Sequence, residues 1–153
     1  QRVGGEKGLR EDGFPEIGVM IETPNALESG TLRDILELGV KIFNFGTNDL
    51  TQALLSLPRG DHEGIIDLME YSVLTENPFE YLHPLVKERM LHAVRTLRDE
   101  NPDVRLAVSG RHPTKFQNMR VFTDMGIHSV AVTPYEVPNA IFHSARGALE
   151  NPQ

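Results

Sequence analysis

Val40-Lys41-Ile42-Phe43-Asn44-Phe45-Gly46-Thr47-Asn48-Asp49-Leu50-Thr51-Gln52 is the stretch on which the fold turns. A hydrophobic run, Val40 to Phe45, reads as a strand, and Gly46 punctuates it. Thr47, Asn48 and Asp49 are residue types that start helices, and a helical pattern follows them. The stretch is therefore a strand passing through a tight turn into a helix. Asp49 emerges at the carboxyl end of that strand, where α/β folds keep their chemistry.

The same pattern recurs on either side. Ile17-Gly18-Val19-Met20-Ile21 is a second apolar run, closed by Glu22-Thr23-Pro24, and further runs begin at Arg105 and Ser129. Ile17 to Ile42 is 25 residues and Arg105 to Ser129 is 24, the period of a strand, a helix and two short loops. The runs are continuously apolar, which predicts parallel strands covered on both faces. Helices are predicted over Asn25 to Leu38, Pro84 to Glu100, Pro113 to Met125, and from about Pro138 onward with Val137, Ile141, Ala145 and Ala148 on one side. The count is four βα units.

Two segments depart from the rhythm. Residues 1–16 hold four glycines and one proline among mixed charges, and are expected to be a flexible segment or a cut linker ahead of a domain spanning 17–150. Residues 59–83 are too long for a simple connection and are expected to form a lid-like loop, with a short apolar stretch at Ile65 to Met69.

Composition narrows the function classes. With 153 residues the chain is one domain's worth, short of the roughly 250 of a complete eight-fold barrel. It is thus expected to be a fragment or half a barrel. A net charge of −7 argues against nucleic acid or an anionic membrane as the main partner, so an anionic ligand must be drawn in by local charge. The chain has no cysteine, which removes disulfides and thiolate metal sites. No run approaches membrane-spanning length, and a cytoplasmic protein is expected.

Glu22 and Asp49, at the ends of two neighbouring strands, outline a divalent metal site. Mg²⁺ prefers hard oxygen ligands, commonly one or two carboxylates completed by substrate oxygens and water. Gly46 allows close approach of the backbone to a ligand, and the N–H groups of Thr47, Asn48 and Asp49 at a helix start suit an anion. Taken singly, each has a plainer reading: Glu22 as a solvated or capping acid, Thr47-Asn48-Asp49 as a turn and cap. The six histidines show no metal-ligand spacing and read as surface or satisfied, partly buried groups.

Ile21-Glu22-Thr23-Pro24 and Phe45 to Gln52, with Arg59, Asn77-Pro78-Phe79 and Val132-Thr133-Pro134-Tyr135-Glu136-Val137-Pro138, together resemble the C-terminal barrel of the phosphoenolpyruvate-utilising enzymes, closest to the pyruvate phosphate dikinase branch. The resemblance implies the C-terminal half of a (β/α)8 TIM-type barrel. It implies Mg²⁺ held by Glu22 and Asp49, and phosphoenolpyruvate or pyruvate held by Glu22, Gly46, Thr47, Asn48, Asp49 and Arg59. It also implies a parent polypeptide with a phosphohistidine domain and a nucleotide-binding domain, and a homo-oligomer.

The resemblance breaks at Ser109-Gly110-Arg111, where the family has Cys-Gly-Glu and the cysteine protonates the enolate. Ser109 stands at that catalytic position, with a hydroxyl far less acidic than a thiol of pKa about 8.5. The family's other phosphate-binding arginines lie on earlier barrel strands, which a chain of four βα units is not expected to contain. Two other readings follow: a degenerate binding or dimerisation module, favoured by Ser109 and Arg111, and a metal-dependent carbon–carbon lyase acting on an oxo acid.

Overall fold

The structure is a computed structural model, and it describes residues 16–150. Four strands, β1 (Gly18–Ile21), β2 (Ile42–Gly46), β3 (Arg105–Ser109) and β4 (Ser129–Ala131), form one sheet in the order β1-β2-β3-β4. Every pairing is parallel, with Ile21 opposite Phe45, Gly46 opposite Ser109 and Ser109 opposite Ala131. The helices are α1 (Ser29–Glu37), α2 (Thr47–Leu55), α3 (His62–Glu70), α4 (Pro84–Glu100), α5 (Phe116–Asp124) and α6 (Val137–Glu150). The chain is thus an α/β protein with an all-parallel sheet, an arrangement consistent with part of a TIM-type barrel.

Parallel neighbours in sequence order, joined by crossovers of one hand, carry their helices on one face of the sheet. Burial follows from this. Ile21, Phe43, Phe45, Leu106 and Val108 are fully buried, whereas their alternate neighbours Met20, Ile42, Asn44 and Ala107 remain partly or largely accessible. The expectation of strands covered on both faces is therefore corrected. Each strand sends every second side chain to the face without helices, so an apolar run here marks one buried face only.

Helix α4 is the central cover, burying Val86, Met90, Ala93, Val94 and Leu97. Its bounds are those the sequence predicts. His83 caps it through its ring Nδ1, which accepts from the Leu85 N–H at 3.2 Å, and Pro84 opens the first turn, where no N–H is missed. Helix α1 docks on it through the Ser29 hydroxyl, which lies 3.0 Å from His92 Nε2 and 3.2 Å from Thr96 Oγ1.

Two predicted helices are shorter than the periodicity suggests. The segment 25–38 splits into a 3-10 turn (Pro24–Leu27) and α1, because Glu28 is extended at ψ 135°. The segment 113–125 likewise splits into a 3-10 turn (His112–Thr114) and α5 at the extended Lys115. In both cases the break turns a buried side chain of the short turn, Leu27 or Pro113, toward the core without the geometry of one continuous helix.

The stretch 59–83 is not a bare loop. It contains α3, whose N-cap Asp61 accepts from the Gly64 N–H at 3.0 Å, and which buries Ile65. Helix α6 also packs differently from its apparent stripe. Ala140 is buried, whereas Val137 and Ile141 are 41% and 64% exposed and border a groove beside β4. The expected flexible segment 1–16 lies outside the described residues except for Glu16, whose carboxylate accepts from Arg105 Nη2 on β3. Among the described residues no helix is long and apolar enough to cross a membrane.

Candidate active site at the carboxyl ends of the strands

The strand register brings the two acids to one rim. Ile21 pairs with Phe45, so Glu22 stands beside Gly46, and Asp49 lies in the first turn of α2 directly beyond. A Cβ on Gly46 would come within 3.0 Å of Glu22 Oε2 and 3.1 Å of Met20 Cε, so the absent side chain is what leaves room for the Glu22 carboxylate. Neither carboxylate has a hydrogen-bond or ion-pair partner among the described residues. Two unengaged oxygen donors at adjacent strand ends suit a hard cation that takes its other ligands from substrate and water. Among the described residues no cluster of three or more His, Asp or Glu side chains offers an all-protein metal cage.

Beyond the acids, the strand ends are locked by a buried polar network that sequence reading did not identify. The Thr47 hydroxyl lies 3.0 Å from the Ser109 carbonyl and 2.9 Å from His112 Nδ1, and His112 Nε2 lies 2.9 Å from the Pro78 carbonyl. A carbonyl only accepts, so Nε2 carries a hydrogen. Burial pushes His112 below its ordinary value near 6.5, outweighing the Pro78 carbonyl, which favours the charged ring; Arg59 nearby adds to the lowering. A neutral ring leaves Nδ1 as acceptor for the Thr47 hydroxyl, whose single hydrogen is then shared with Ser109 O.

His112 is fully buried, where a surface or partly buried position was expected, because Pro78 and Thr47 satisfy both ring nitrogens. Asn118 on α5 extends the network. Its amide donates to Glu80 O at 2.7 Å and His112 O at 2.9 Å, and its oxygen accepts from the Leu82 N–H at 3.0 Å. A polar amide in the middle of a predicted amphipathic helix was the available signal. The network ties the end of the 59–83 excursion to both the β2–α2 and β3–α5 turns.

Gly110 closes the turn at φ +125°, a conformation that L side chains rarely adopt. A Cβ there would meet Thr47 Oγ1 at 2.9 Å and Asn48 Nδ2 at 3.0 Å. The Arg111 N–H lies 3.4 Å from Asn48 Oδ1, a weak contact. Next to these turns opens a cavity of about 700 Å³, lined by Asn48, Arg59, Gly110 and Arg111 together with Lys115, Thr133 and Tyr135. Lys115 is paired with Glu80 at 3.1 Å, which leaves the two guanidinium groups as the cavity's unpaired cations among the described residues.

The candidate residues thus fall into two adjoining groups. Glu22, Gly46 and Asp49 make the acid rim at β1 and β2, while Asn48 and Arg59 line the cavity toward β3 and β4. Ser109 is half-buried at the end of β3, its carbonyl held by Thr47, and its residue does not line the cavity.

The titration of His112 has a measurable sign. Its folded-state pKa is lowered, so below about 6.5 the unfolded chain binds a proton that the native state resists, and this contribution to stability is lost as pH falls. The stability difference between wild type and His112→Asn, from urea unfolding, should shrink by about 1 kcal/mol from pH 8 to pH 5.5. A difference that widens toward low pH would mean that the buried ring is an imidazolium.

Residues 3–147 match the family described as PEP-utilising enzyme, PEP-binding domain. The chain is 34% identical over 137 residues to pyruvate, phosphate dikinase of Treponema pallidum and 30% identical over 139 residues to that of Entamoeba histolytica, each alignment covering 89% of this chain. It is 29% identical over 153 residues to pyruvate, phosphate dikinase of Clostridium symbiosum, covering 99% of this chain. The chain spans only 15–17% of the length of these relatives.

Proposed function

Because this chain belongs to the PEP-utilising enzymes, matching their PEP-binding domain and related to pyruvate, phosphate dikinase, we propose that it binds phosphoenolpyruvate and pyruvate with Mg²⁺ for a longer phosphotransferase. The observation that carries this reading is the unengaged pair Glu22 and Asp49 beside Gly46, at the ends of adjacent parallel strands. Within the parent polypeptide the four βα units contribute the C-terminal half of a barrel, and the phosphoryl group passes to a histidine on another domain.

Glu22 and Asp49 hold the metal in this reading. When bound, Mg²⁺ supplies Lewis-acid stabilisation of the enolate oxygen of pyruvate. Gly46 keeps the rim open, Asn48 presents its amide at the edge of the cavity, and Arg59 offers a planar fork suited to a phosphate or carboxylate. Thr47 contributes indirectly, since its side chain is committed to Ser109 O and His112 and so fixes the turn that carries Asn48.

Ser109 favours a second reading, in which the site binds its ligand without completing proton transfer to carbon. An alcohol is a far weaker acid than a thiol, and a direct donor to an enolate carbon works best with a pKa near the operating pH.

Calorimetric titration of this chain with oxalate, which imitates the enolate of pyruvate, tests the site. Binding is expected to require Mg²⁺ and to drop below detection in Asp49→Ala. Oxalate binding indifferent both to Mg²⁺ and to Asp49→Ala would sink the proposal, and turnover of phosphoenolpyruvate by the parent polypeptide would decide between the two readings.

A further inference from the structure

A second, smaller cavity of about 340 Å³ lies beside Arg59 and Arg111, between the start of α3 and the segment ahead of α4. Among the described residues its lining carries two guanidinium groups, Arg59 and Arg111, and no carboxylate, in a chain whose net charge is −7. Ile65 and Phe79, both buried, make an apolar wall, and Asn77 adds an amide. The Asn77 side-chain oxygen is already taken by the Phe79 N–H at 3.0 Å, so what Asn77 has left to offer is its NH₂ donor.

Arg59 and Arg111 line this cavity as well as the larger one. Neither guanidinium has a carboxylate partner among the described residues. Two like charges sharing one small cavity repel each other, and an anion bridging them relieves that repulsion while using both forks. Arg33 and Arg89, by comparison, are matched with Glu100 and Glu28 on the surface.

We propose that Arg111, with Arg59 and the Asn77 amide, forms an oxyanion site in this smaller cavity that takes a dianionic phosphoryl group. The site does not include the acid rim and needs no metal, because its two guanidinium groups supply the positive charge. It shares Arg59 with the proposed substrate site but neither Glu22 nor Asp49. Arg111 acts there as the second fork, following directly on the Gly110 turn.

Inorganic phosphate and methyl phosphate, titrated separately into the chain without Mg²⁺ and followed by calorimetry and ³¹P line broadening, test this. Arg111 is exposed, so its substitution should leave the fold intact. Arg111→Ala should weaken binding on the order of tenfold, and Arg111→Lys, which keeps charge but loses the fork, by less. Arg33→Ala, at a distant ion pair, should change nothing. Asp49→Ala should retain phosphate binding while losing Mg²⁺-dependent oxalate binding, so failure of one site is distinguishable from failure of the other. Binding of both probes supports a site for the terminal phosphate of a larger ligand, and binding of inorganic phosphate alone supports a site for the free ion. No binding of either, or equal binding by Arg111→Ala, overturns the assignment.

Discussion

Gly110→Ala is expected to destabilise the chain by about 2–5 kcal/mol and to abolish Mg²⁺-dependent oxalate binding. Two effects add. The backbone at φ +125° is strained for any L side chain, and the new methyl group would sit 2.9 Å from Thr47 Oγ1 and 3.0 Å from Asn48 Nδ2. Neither neighbour is a free-swinging side chain: Thr47 is fully buried and bonded to Ser109 O and His112, and Asn48 is buried to within 8%. Relief must come from moving the β2–α2 turn or the β3–α5 turn, and both carry candidate ligand contacts. Gly30→Ala is the control. Gly30 lies in α1 with nothing within 4 Å of an added Cβ, so alanine there should be neutral or stabilise by up to about 1 kcal/mol. Urea midpoints of the two variants decide the matter, and Gly110→Ala unfolding alongside Gly30→Ala would refute the account of the turn.

His112→Ala should cost about 3 kcal/mol or more, through a cavity at a fully buried position and the loss of two hydrogen bonds. The Pro78 carbonyl is left without its donor, and Thr47 loses an acceptor. The loss should be felt locally as well. His112 and Asn118 anchor Pro78, Glu80 and Leu82, so amide hydrogen exchange across 77–83 should accelerate more than in α4. His62→Ala, at an exposed position, should stay within about 0.5 kcal/mol of wild type. A His112→Ala protein within about 1 kcal/mol of wild type, with unchanged exchange over 77–83, would show that the network does not hold the excursion in place.

The fold's rhythm was legible because local chemistry writes it directly. Pro84 to Glu100 shows as a helix in sequence and in space, since its capping and proline signals and its burial pattern agree. The strand starts at Ile42, Arg105 and Ser129 were likewise marked by apolar runs between helix boundaries. Residues that break within a helix, Glu28 and Lys115, were not legible. Nothing in either residue's own propensity forces an extended backbone, and the break answers to packing of the short preceding turn. The apolar runs also overstated burial, because a run reports hydrophobicity and not which of its two faces meets a helix.

The candidate site divides in the same way. Glu22, Gly46, Thr47, Asn48 and Asp49 stand out in the sequence because strand ends, glycine and helix-start residues leave a local signature, whereas Arg59 was marked only by the family resemblance. His112 and Asn118 left almost none. Their partners Thr47, Pro78 and Glu80 are 65, 34 and 38 residues away, and a hydrogen bond across such separations is invisible until the chain closes.

By itself, then, the sequence determined the βα order, the parallel sheet and the placing of two acids at adjacent strand ends, because those follow from short-range periodicity and turn chemistry. Only the tertiary structure decided that Glu22 lies over Gly46, that His112 is buried between Thr47 and Pro78, and that Arg59 and Arg111 face the same two cavities. Those relations depend on strand register and on where the 59–83 excursion lands. Both are set by summed long-range packing and not by any local run of residues.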